Sequence, residues 1–319
     1  MWAHKLTAPA RLEPVEVDPP DPAALRPGEV LARFLAGAIC GSDLPGFLGR
    51  PNPVLPDAHG RPGYPLHELV GEVVATRAED VPVGARVVGW AERMQGLAEL
   101  FVCRGDSVLV LDDGLPSIPA TVVQPLSTVL YSLDRVGSVA GRRAAVIGQG
   151  PLGLLFSHAL KARGASHVTG VDVIDRRDVG ADFGVDEVVW EQSASWAATL
   201  DHDRPDVVIE AVGHQVGTFT DALEAVGFGG RIFAFGVPDD HSYPIPFVSF
   251  FRKNLTLMSG VALDRRRSLE ASHQYLVAHP GLAERYITHT VPVGEAQRAF
   301  ELAVTPAVGR LKVALDGAP

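Results

Sequence analysis

From about residue 120 onward, short apolar runs alternate with stretches in which apolar residues recur at helical spacing. The run at 144–147 is typical of a buried parallel strand. The helical pattern that follows it places on one face Leu152, Leu155, Phe156, Ala159 and Leu160. Further apolar runs occupy 167–172, 188–190, 206–210 and 231–235. This alternation predicts a doubly wound parallel sheet, and hence an α/β fold.

Residues 1 to about 120 show a different pattern, rich in Val, Gly and Pro. Short apolar runs separated by turn-forming residues lie at 30–35, 69–74, 87–90 and 107–111. This spacing predicts a small all-β unit, and the Pro-rich segment 45–65 is predicted to be a long surface loop. The strand-like tail at 308–315 is expected to return to this unit. We therefore expect a β-rich domain formed by 1–120 and 285–319, and a second domain formed by 121–284.

A glycine-rich sequence with the spacing G-x-G-x-x-G follows the run at 144–147. Gly148 would permit the tight turn, Gly150 would let the backbone approach a pyrophosphate, and Gly153 would let the helix pack closely on the sheet. The next apolar run ends at Asp172, 19 residues after Gly153. A carboxylate that binds the ribose of a dinucleotide is expected at roughly this spacing, about 20 residues. An ordinary strand–helix turn with a surface acid is the simpler alternative, but the combination predicts a dinucleotide site.

The charge of Asp172 bears on the choice between NAD and NADP. A carboxylate accepts hydrogen bonds from the ribose hydroxyls and repels a 2′-phosphate. Arg176 and Arg177 lie close by in the sequence and favour the opposite choice, because arginine can bind that phosphate. The carboxylate stands at the strand end, so we predict NAD.

Composition excludes several classes of protein. The 319 residues are 46% hydrophobic and 21% charged, as in an ordinary globular protein. The net charge of −10 argues against a nucleic acid or an anionic membrane surface as partner. The sequence has no signal-peptide pattern and no run of about 18 apolar residues that could span a membrane. Two cysteines are too few for a disulfide framework, so we expect a cytoplasmic protein.

Two clusters in the β-rich half carry metal-binding chemistry. Residues 40–43 are Cys-Gly-Ser-Asp, and residues 67–68 are His-Glu. A thiolate, an imidazole and a carboxylate are the usual ligands of a catalytic zinc ion. Each residue also has a simpler interpretation, since Cys40 fits a buried apolar position and His67 fits a loop histidine bonded to a carbonyl.

The order of these motifs resembles the medium-chain dehydrogenase/reductase superfamily, in which a β-rich unit with C-G-S-D and H-E-x-x-G precedes the glycine-rich motif. Within it, the chain is most similar to zinc-dependent alcohol and polyol (sorbitol-type) dehydrogenases. The resemblance covers almost the whole chain and includes 27–30, 84–88, 125–127 and the tail. It implies a GroES-like catalytic domain and a Rossmann dinucleotide-binding domain.

The resemblance also implies roles for single residues of the β-rich domain. Cys40 and His67 would bind zinc, and Glu68 would be a direct or exchangeable ligand, as in the polyol branch. Ser42 would hydrogen-bond the substrate hydroxyl and pass its proton on. Asp43 would orient His67.

For the cofactor, the resemblance implies contacts in the second domain. Leu152 would pack on NAD, Asp172 would hold the adenosine ribose, and Arg177 would flank it. The turns at Val237 and Gly260 would approach the nicotinamide.

The chain departs from the family pattern in four places. Gln124 stands where the family usually has Glu, Asp or Cys near the metal, and a neutral amide is a poorer zinc ligand. Gln124 would therefore share or compete with Glu68 for the third ligand position. Pro45 replaces a proton-relay histidine, and Leu66 replaces a glycine. The four-cysteine lobe has no counterpart at 90–100, so we expect no structural zinc and a core position for Cys103.

Together these expectations describe an NAD-dependent oxidoreductase that interconverts a secondary alcohol, polyol or cyclitol-like, and its ketone with one catalytic zinc ion. A zinc-free NAD(P)H-dependent reductase of the same superfamily is the first alternative, and Gln124 supports it. A catalytically inactive nucleotide-binding protein is the second alternative. Gln124 and Pro45 would then be positions at which the functional residue of the family has been lost.

The apolar run at 243–251 bears on assembly. Exposed, it would promote aggregation, so it is covered either by the chain itself or by a second copy. With the family resemblance, it predicts a homodimer or homotetramer. A buried helix start within one subunit is the alternative.

Overall fold

The apolar runs of the sequence form one hairpin and two six-stranded sheets in the computed structural model, which describes residues 1–51, 55–112 and 114–318. The described strands are, in chain order, β1 (Trp2–Ala8), β2 (Arg11–Glu16), β3 (Glu29–Ala38), β4 (Glu68–Thr76), β5 (Arg86–Ala91), β6 (Leu100–Val110), β7 (Arg143–Ile147), β8 (His167–Asp172), β9 (Glu187–Trp190), β10 (Val207–Glu210), β11 (Arg231–Ala234), β12 (Thr256–Ser259), β13 (Ile287–Pro292) and β14 (Lys312–Asp316). The described α-helices are α1 (Leu44–Phe47), α2 (Ser117–Ala120), α3 (Val123–Val136), α4 (Pro151–Ala162), α5 (Ser193–Thr199), α6 (Val216–Ala225), α7 (Phe247–Arg252), α8 (Arg265–Ala278), α9 (Leu282–Tyr286) and α10 (Ala296–Val304).

The chain divides into two compact units. The first contains residues 1–127, 264–306 and 310–319, and the second contains 128–263 and 307–309. Residues 264–284, which the sequence analysis assigned to the dinucleotide-binding domain, belong to the first unit. Helix α8 packs against strand β6 of that unit, and it places Ser272 Oγ 2.7 Å from the Val123 carbonyl oxygen, to which it donates.

The sheet of the first unit has the strand order β13-β14-β3-β4-β5-β6, and β6 also pairs with β3. Strands β3 and β4 are antiparallel, with Ala38 opposite Glu68, and β14 places Ala314 opposite Ala38. The end of β3 therefore lies beside the start of β4 and next to β14. This register, rather than nearness in sequence, brings residues 40, 68 and 312 into one region.

The sheet of the second unit is parallel, with the order β12-β11-β10-β7-β8-β9. Chain order therefore reverses direction at β7, as in a Rossmann fold. The predicted α/β class and both domain types are confirmed. Strand β12, at one edge of the sheet, was missing from the sequence prediction. Strand β9, at the other edge, was predicted as buried but leaves Trp190 58% exposed.

Among the described residues, the segment 45–65 is mostly the irregular, exposed or half-buried loop that its prolines predicted, but it is not irregular throughout. It begins with helix α1. Pro45 lies in the first turn of this helix, where backbone N–H groups have no helical partner, so its missing N–H costs no hydrogen bond. Phe47 and Tyr64 are fully buried. Residues 52–54 of this segment lie outside the described residues.

Other predictions concern exposure. Cys103 is buried in β6, as expected, and burial raises the pKa of its thiol to about 12. Helix α7 has no buried residue, so the alternative of a buried helix start at 243–251 is wrong. Among the helices described, none is long and apolar enough to cross a membrane.

Candidate active site

Three potential metal ligands meet at the end of strand β3. The ligand atoms of Cys40, His67 and Glu68 all lie within 4.8 Å of one another. Cys40 follows β3, His67 precedes β4, and Glu68 is the first residue of β4. Cys40 and Glu68 are buried, and His67 is half-buried. The β3–β4 register therefore creates a compact donor set of sulfur, nitrogen and oxygen, which suits zinc.

The carboxylate of Asp43 holds two of these residues in place. Asp43 is completely buried; its Oδ2 accepts a hydrogen bond from the Cys40 backbone N at 2.8 Å, and its Oδ1 lies 2.6 Å from His67 Nδ1. Because Nδ1 is engaged in this way, Nε2 is the ring nitrogen left to bind a metal. Burial by itself lowers the pKa of His67, but Asp43 and Cys40 more than offset this and raise the pKa well above its ordinary value.

Ser42 lies beside the same cluster. Its Oγ donates to Cys40 Sγ at 3.3 Å, and its side chain is half-buried. The hydroxyl oxygen keeps its lone pairs available as acceptors in this arrangement. Ser42 therefore has the position and the exposure to take up a proton near Cys40.

The side-chain oxygens of Glu68 and Gln124 are buried. Among the described residues, neither Glu68 Oε1 nor Gln124 Oε1 has a hydrogen-bond partner. Buried polar atoms in folded proteins are nearly always satisfied, so each orphaned oxygen is consistent with a missing cation or water. Gln124 is the second residue of helix α3, whereas Glu68 belongs to the cluster itself. The residues present therefore fit a metal ion.

Sequence reasoning missed the partner of Glu68. Lys312, at the start of β14, places Nζ 2.6 Å from Glu68 Oε2, and the two side chains are 2% and 0% exposed. Burial lowers the pKa of Lys312, but the charge of Glu68 more than offsets this and raises it above its ordinary value. The charge of Glu68 is thus compensated within the chain. A lysine inside the apolar tail at 308–315 was the available signal, because a buried lysine requires an opposite charge.

Tyr286 also contributes to this buried region and was not predicted. It immediately precedes β13, whose first residue, Ile287, is paired with Lys312. Its hydroxyl is buried without a hydrogen-bond partner among the described residues, and burial raises its pKa. The carboxylate–ammonium pair therefore has a neutral phenol near it.

In the second unit, the three glycines of the turn have the geometry that the motif predicts. Gly148 has φ +89°, and a Cβ there would lie 2.7 Å from Val212 Cγ2. A Cβ at Gly153 would lie 1.7 Å from the Gly148 carbonyl oxygen, so only glycine permits this helix–turn approach. A Cβ at Gly150 would meet open space, where a ligand can approach the backbone at the start of α4.

Asp172 ends strand β8 and touches the same turn. Its Oδ2 accepts from the Gln149 backbone N at 2.6 Å, and its Oδ1 accepts from the Ile174 backbone N at 2.7 Å. Arg176 is 2% exposed and donates to the Ala307 carbonyl. Arg177 Nε lies 2.9 Å from Asp175 Oδ1 and the guanidinium stacks on Trp190. Both arginines therefore have partners within the chain.

The other predicted cofactor residues lie at the same edge of the parallel sheet. Leu152 is half-buried in the first turn of α4. Val237 follows β11 and is 50% exposed, and Gly260 follows β12 with φ +141°. Because the strands are parallel, their carboxyl ends share one edge, where dinucleotides bind in such folds.

Comparison with known proteins identifies the family. The model of the alcohol dehydrogenase GroES-like domain matches residues 26–110, and that of zinc-binding dehydrogenases matches 151–276. The chain belongs to the zinc-binding alcohol and polyol dehydrogenase family. The resemblance seen in the sequence is thereby confirmed.

Individual proteins resemble this chain over most of its length. D-altritol 5-dehydrogenase of Agrobacterium fabrum is 29% identical over 316 residues, covering 86% of this chain and 88% of that protein. Alcohol dehydrogenase TADH from Thermus sp. ATN1 superposes with a TM-score of 0.86 at 28% identity over the full length of both chains. An alcohol dehydrogenase of Escherichia coli CFT073, solved with NADH, shares the fold, with a TM-score of 0.83 at 20% identity and 99% of each chain covered.

Proposed function

We propose that this dehydrogenase interconverts a secondary alcohol and its ketone, using NAD and one zinc ion. The observation that carries the proposal is the buried cluster of Cys40, His67 and Glu68, two of whose members are held by Asp43. A histidine that binds a metal commonly has its other ring nitrogen held by a carboxylate, as Asp43 holds His67. A thiol and a second carboxylate beside that imidazole complete a donor set that suits zinc.

The charges of the chain favour a particular ligand set. Cys40 and His67 would bind the ion, and Gln124 or Glu68 would supply the third ligand. Because Lys312 compensates Glu68 and Gln124 is neutral, the thiolate of Cys40 supplies the main negative charge. Zinc in such a site would polarise its fourth ligand more strongly and would be lost more easily than from a site with two anionic ligands.

The residues around the cluster can perform the proton chemistry of the reaction. When bound, zinc supplies a positive charge that stabilises a deprotonated alcohol. Ser42 accepts the hydroxyl proton and passes it toward solvent, since its side chain is half-buried. Asp43 holds the His67 ring in the same orientation during the whole reaction. When bound, NAD would supply the nicotinamide that accepts the hydride.

A relative with a polyol substrate supports the proposed substrate class. D-altritol is a polyol. The match to D-altritol 5-dehydrogenase of Agrobacterium fabrum covers 88% of that protein. A polyol or cyclitol-like secondary alcohol is therefore the proposed substrate of this chain.

The test is metal analysis of protein purified without chelator, combined with NAD reduction across a panel of polyols, cyclitols and simple secondary alcohols. We expect one zinc ion per chain and turnover with at least one polyol or cyclitol. Protein that binds no added zinc yet reduces a carbonyl or activated alkene with NAD(P)H would replace this proposal with the zinc-free reductase. The neutral Gln124 and the compensated Glu68 are the observations that favour that second candidate. Cofactor binding without metal or turnover would indicate an inactive nucleotide-binding protein.

We also infer a homodimer or homotetramer. Helix α7 exposes Phe247, Val248 and Phe251 by 63%, 70% and 72%, and such apolar patches usually mark an interface. Light scattering at micromolar concentration should show the assembly, and a strictly monomeric mass would contradict it.

A further inference from the structure

Gln149, the residue between the first two glycines of the turn, is completely buried and uses both ends of its amide. Its Nε2 donates to the Val146 carbonyl of β7 at 3.1 Å, and its Oε1 accepts from Ser157 Oγ of α4 at 3.1 Å. Its backbone N donates to Asp172 at the end of β8. One residue therefore connects the strand before the turn, the helix after it and the carboxylate of the next strand.

Gly170 provides the space for this side chain. A Cβ at position 170 would lie 2.7 Å from Gln149 Cδ and 2.9 Å from its Oε1, closer than real Cβ contacts. Glycine weakens a strand, and Gly170 lies in the middle of β8 and does not have a positive φ. The close approach of the Gln149 amide therefore explains the glycine. Gln149 and Gly170 form a matched pair.

The location of the pair gives it a consequence for ligand binding. The turn has glycines on both sides of Gln149, so its backbone would have many conformations available without a further restraint. Two buried side-chain hydrogen bonds remove that freedom and fix the direction of the backbone N–H groups. Binding sites that are ordered before the ligand arrives bind more tightly, because less entropy is lost on binding.

We propose that Gln149 is a positioning residue for the dinucleotide, which holds the glycine-rich turn and Asp172 in the arrangement that binds pyrophosphate and ribose. This inference rests on the proposed dinucleotide function. Gln149 touches no reacting atom; it acts through the turn and through Asp172.

The experiment compares Gln149→Ala, Gly170→Ala and the double variant. Dissociation constants are measured for ADP-ribose and NADH by calorimetry, below the unfolding temperature of each variant. ADP-ribose contains the pyrophosphate and the adenosine ribose but no nicotinamide, so its binding is independent of the metal cluster. Gln149→Ala should weaken ADP-ribose binding about five- to tenfold, the effect of one or two buried hydrogen bonds.

Gly170→Ala disrupts the same contact with the Gln149 amide, but from strand β8. Gly170→Ala should also weaken ADP-ribose binding, because the new Cβ displaces the amide. The double variant should bind no more weakly than Gln149→Ala alone, because the new Cβ then has no amide to displace. Gln149→Met, which keeps the volume without the hydrogen bonds, should recover the unfolding temperature but not the affinity.

Several results would overturn the inference. They are wild-type affinity in Gln149→Ala, additive losses in the double variant, or full affinity in Gln149→Met. If Gln149→Ala does not fold, Gln149→Met and Gly170→Ala carry the same test. A wild-type protein that binds neither ADP-ribose nor NADH would instead contradict the proposed function, and this inference with it.

Discussion

The proposed zinc site of the first unit (the cluster of Cys40, His67 and Glu68) and the glycine-rich turn of the second differ in the groups that form them. The cluster consists of the ionisable side chains of Cys40, His67 and Glu68, and its charged partner Lys312 comes from a distant part of the sequence. The turn consists of backbone groups and glycines within one short stretch, and Asp172 is its single charged member. The cluster therefore depends on the balance of charges, whereas the turn depends on the shape of the backbone.

This difference determines how each site should respond to substitution. In the cluster, Asp43 is paired with His67 and Glu68 with Lys312, so removing one partner leaves the other unpaired in a buried place. In the turn, a substitution changes geometry and leaves the charges nearly unaltered. Loss of zinc and loss of dinucleotide binding should therefore be separable by mutation.

The largest effect is expected from Cys40→Ala. The thiolate supplies the negative charge that neither the paired Glu68 nor the neutral Gln124 provides, so zinc binding and turnover should both be abolished. ADP-ribose binding should be unchanged. Metal analysis, initial rates and calorimetry measure the three quantities. Cys103→Ala is the matched control, since Cys103 lies in the core; full zinc content in Cys40→Ala would remove Cys40 from the ligand set.

Lys312→Met should lower the free energy of unfolding by about 3–5 kcal/mol, the usual cost of leaving one member of a buried ion pair alone. The double variant Lys312→Met with Glu68→Gln should regain most of this loss, because neither charge is then unpaired. Denaturant unfolding measures all three proteins. A single variant as stable as wild type would show that the pair contributes nothing.

The same pair has a defined pH dependence. Pairing raises the pKa of Lys312 above its ordinary value of 10.5, so its stabilising contribution is complete below that pH. It is lost only as the pH rises through the higher value of the folded protein. Between pH 6 and 9 the difference between wild type and Lys312→Met should therefore be constant.

Asp43→Asn should weaken zinc binding about 10- to 100-fold, as is usual when the partner of a ligating histidine is changed. The amide can still accept from the Cys40 backbone N, but it no longer stabilises the orientation of His67 by charge. Competition with a chelator measures the zinc affinity. Unchanged affinity would show that Asp43 does not position the imidazole.

A smaller effect is expected for cofactor choice. NAD should bind about tenfold more tightly than NADP, because Asp172 repels a 2′-phosphate and both nearby arginines are already engaged. Asp172→Asn should reduce the preference. Asp175→Ala releases Arg177 and should raise NADP affinity while leaving NAD affinity nearly unchanged. Tighter binding of NADP by the wild type would contradict this.

The two sites also differ in how far the sequence could predict them. The turn lies within a contiguous motif whose glycines have separate physical requirements, so the positions of Gly148, Gly150, Gly153 and Asp172 could be predicted. The matched pair of Gln149 and Gly170 could not be predicted, because that requires knowing that the side chain of the turn after β7 packs against β8.

For the cluster, the residue types at 40 and 67 indicated a metal, but their neighbours depended on strand register. Lys312 is 244 positions from Glu68, and only the pairing of β14 with β3 brings them together. In the Pro-rich segment 45–65, only helix α1 was not predicted, because a proline is tolerated in the first turn of a helix, where Pro45 lies.

The most direct test of the zinc centre is X-ray absorption at the zinc edge of the zinc-loaded protein, compared with Cys40→Ser. We predict one sulfur ligand at about 2.3 Å with the remaining ligands nitrogen or oxygen, and loss of the sulfur signal in the variant. A zinc environment without sulfur in the wild type, or one unchanged in Cys40→Ser, would contradict a metal centre built on Cys40.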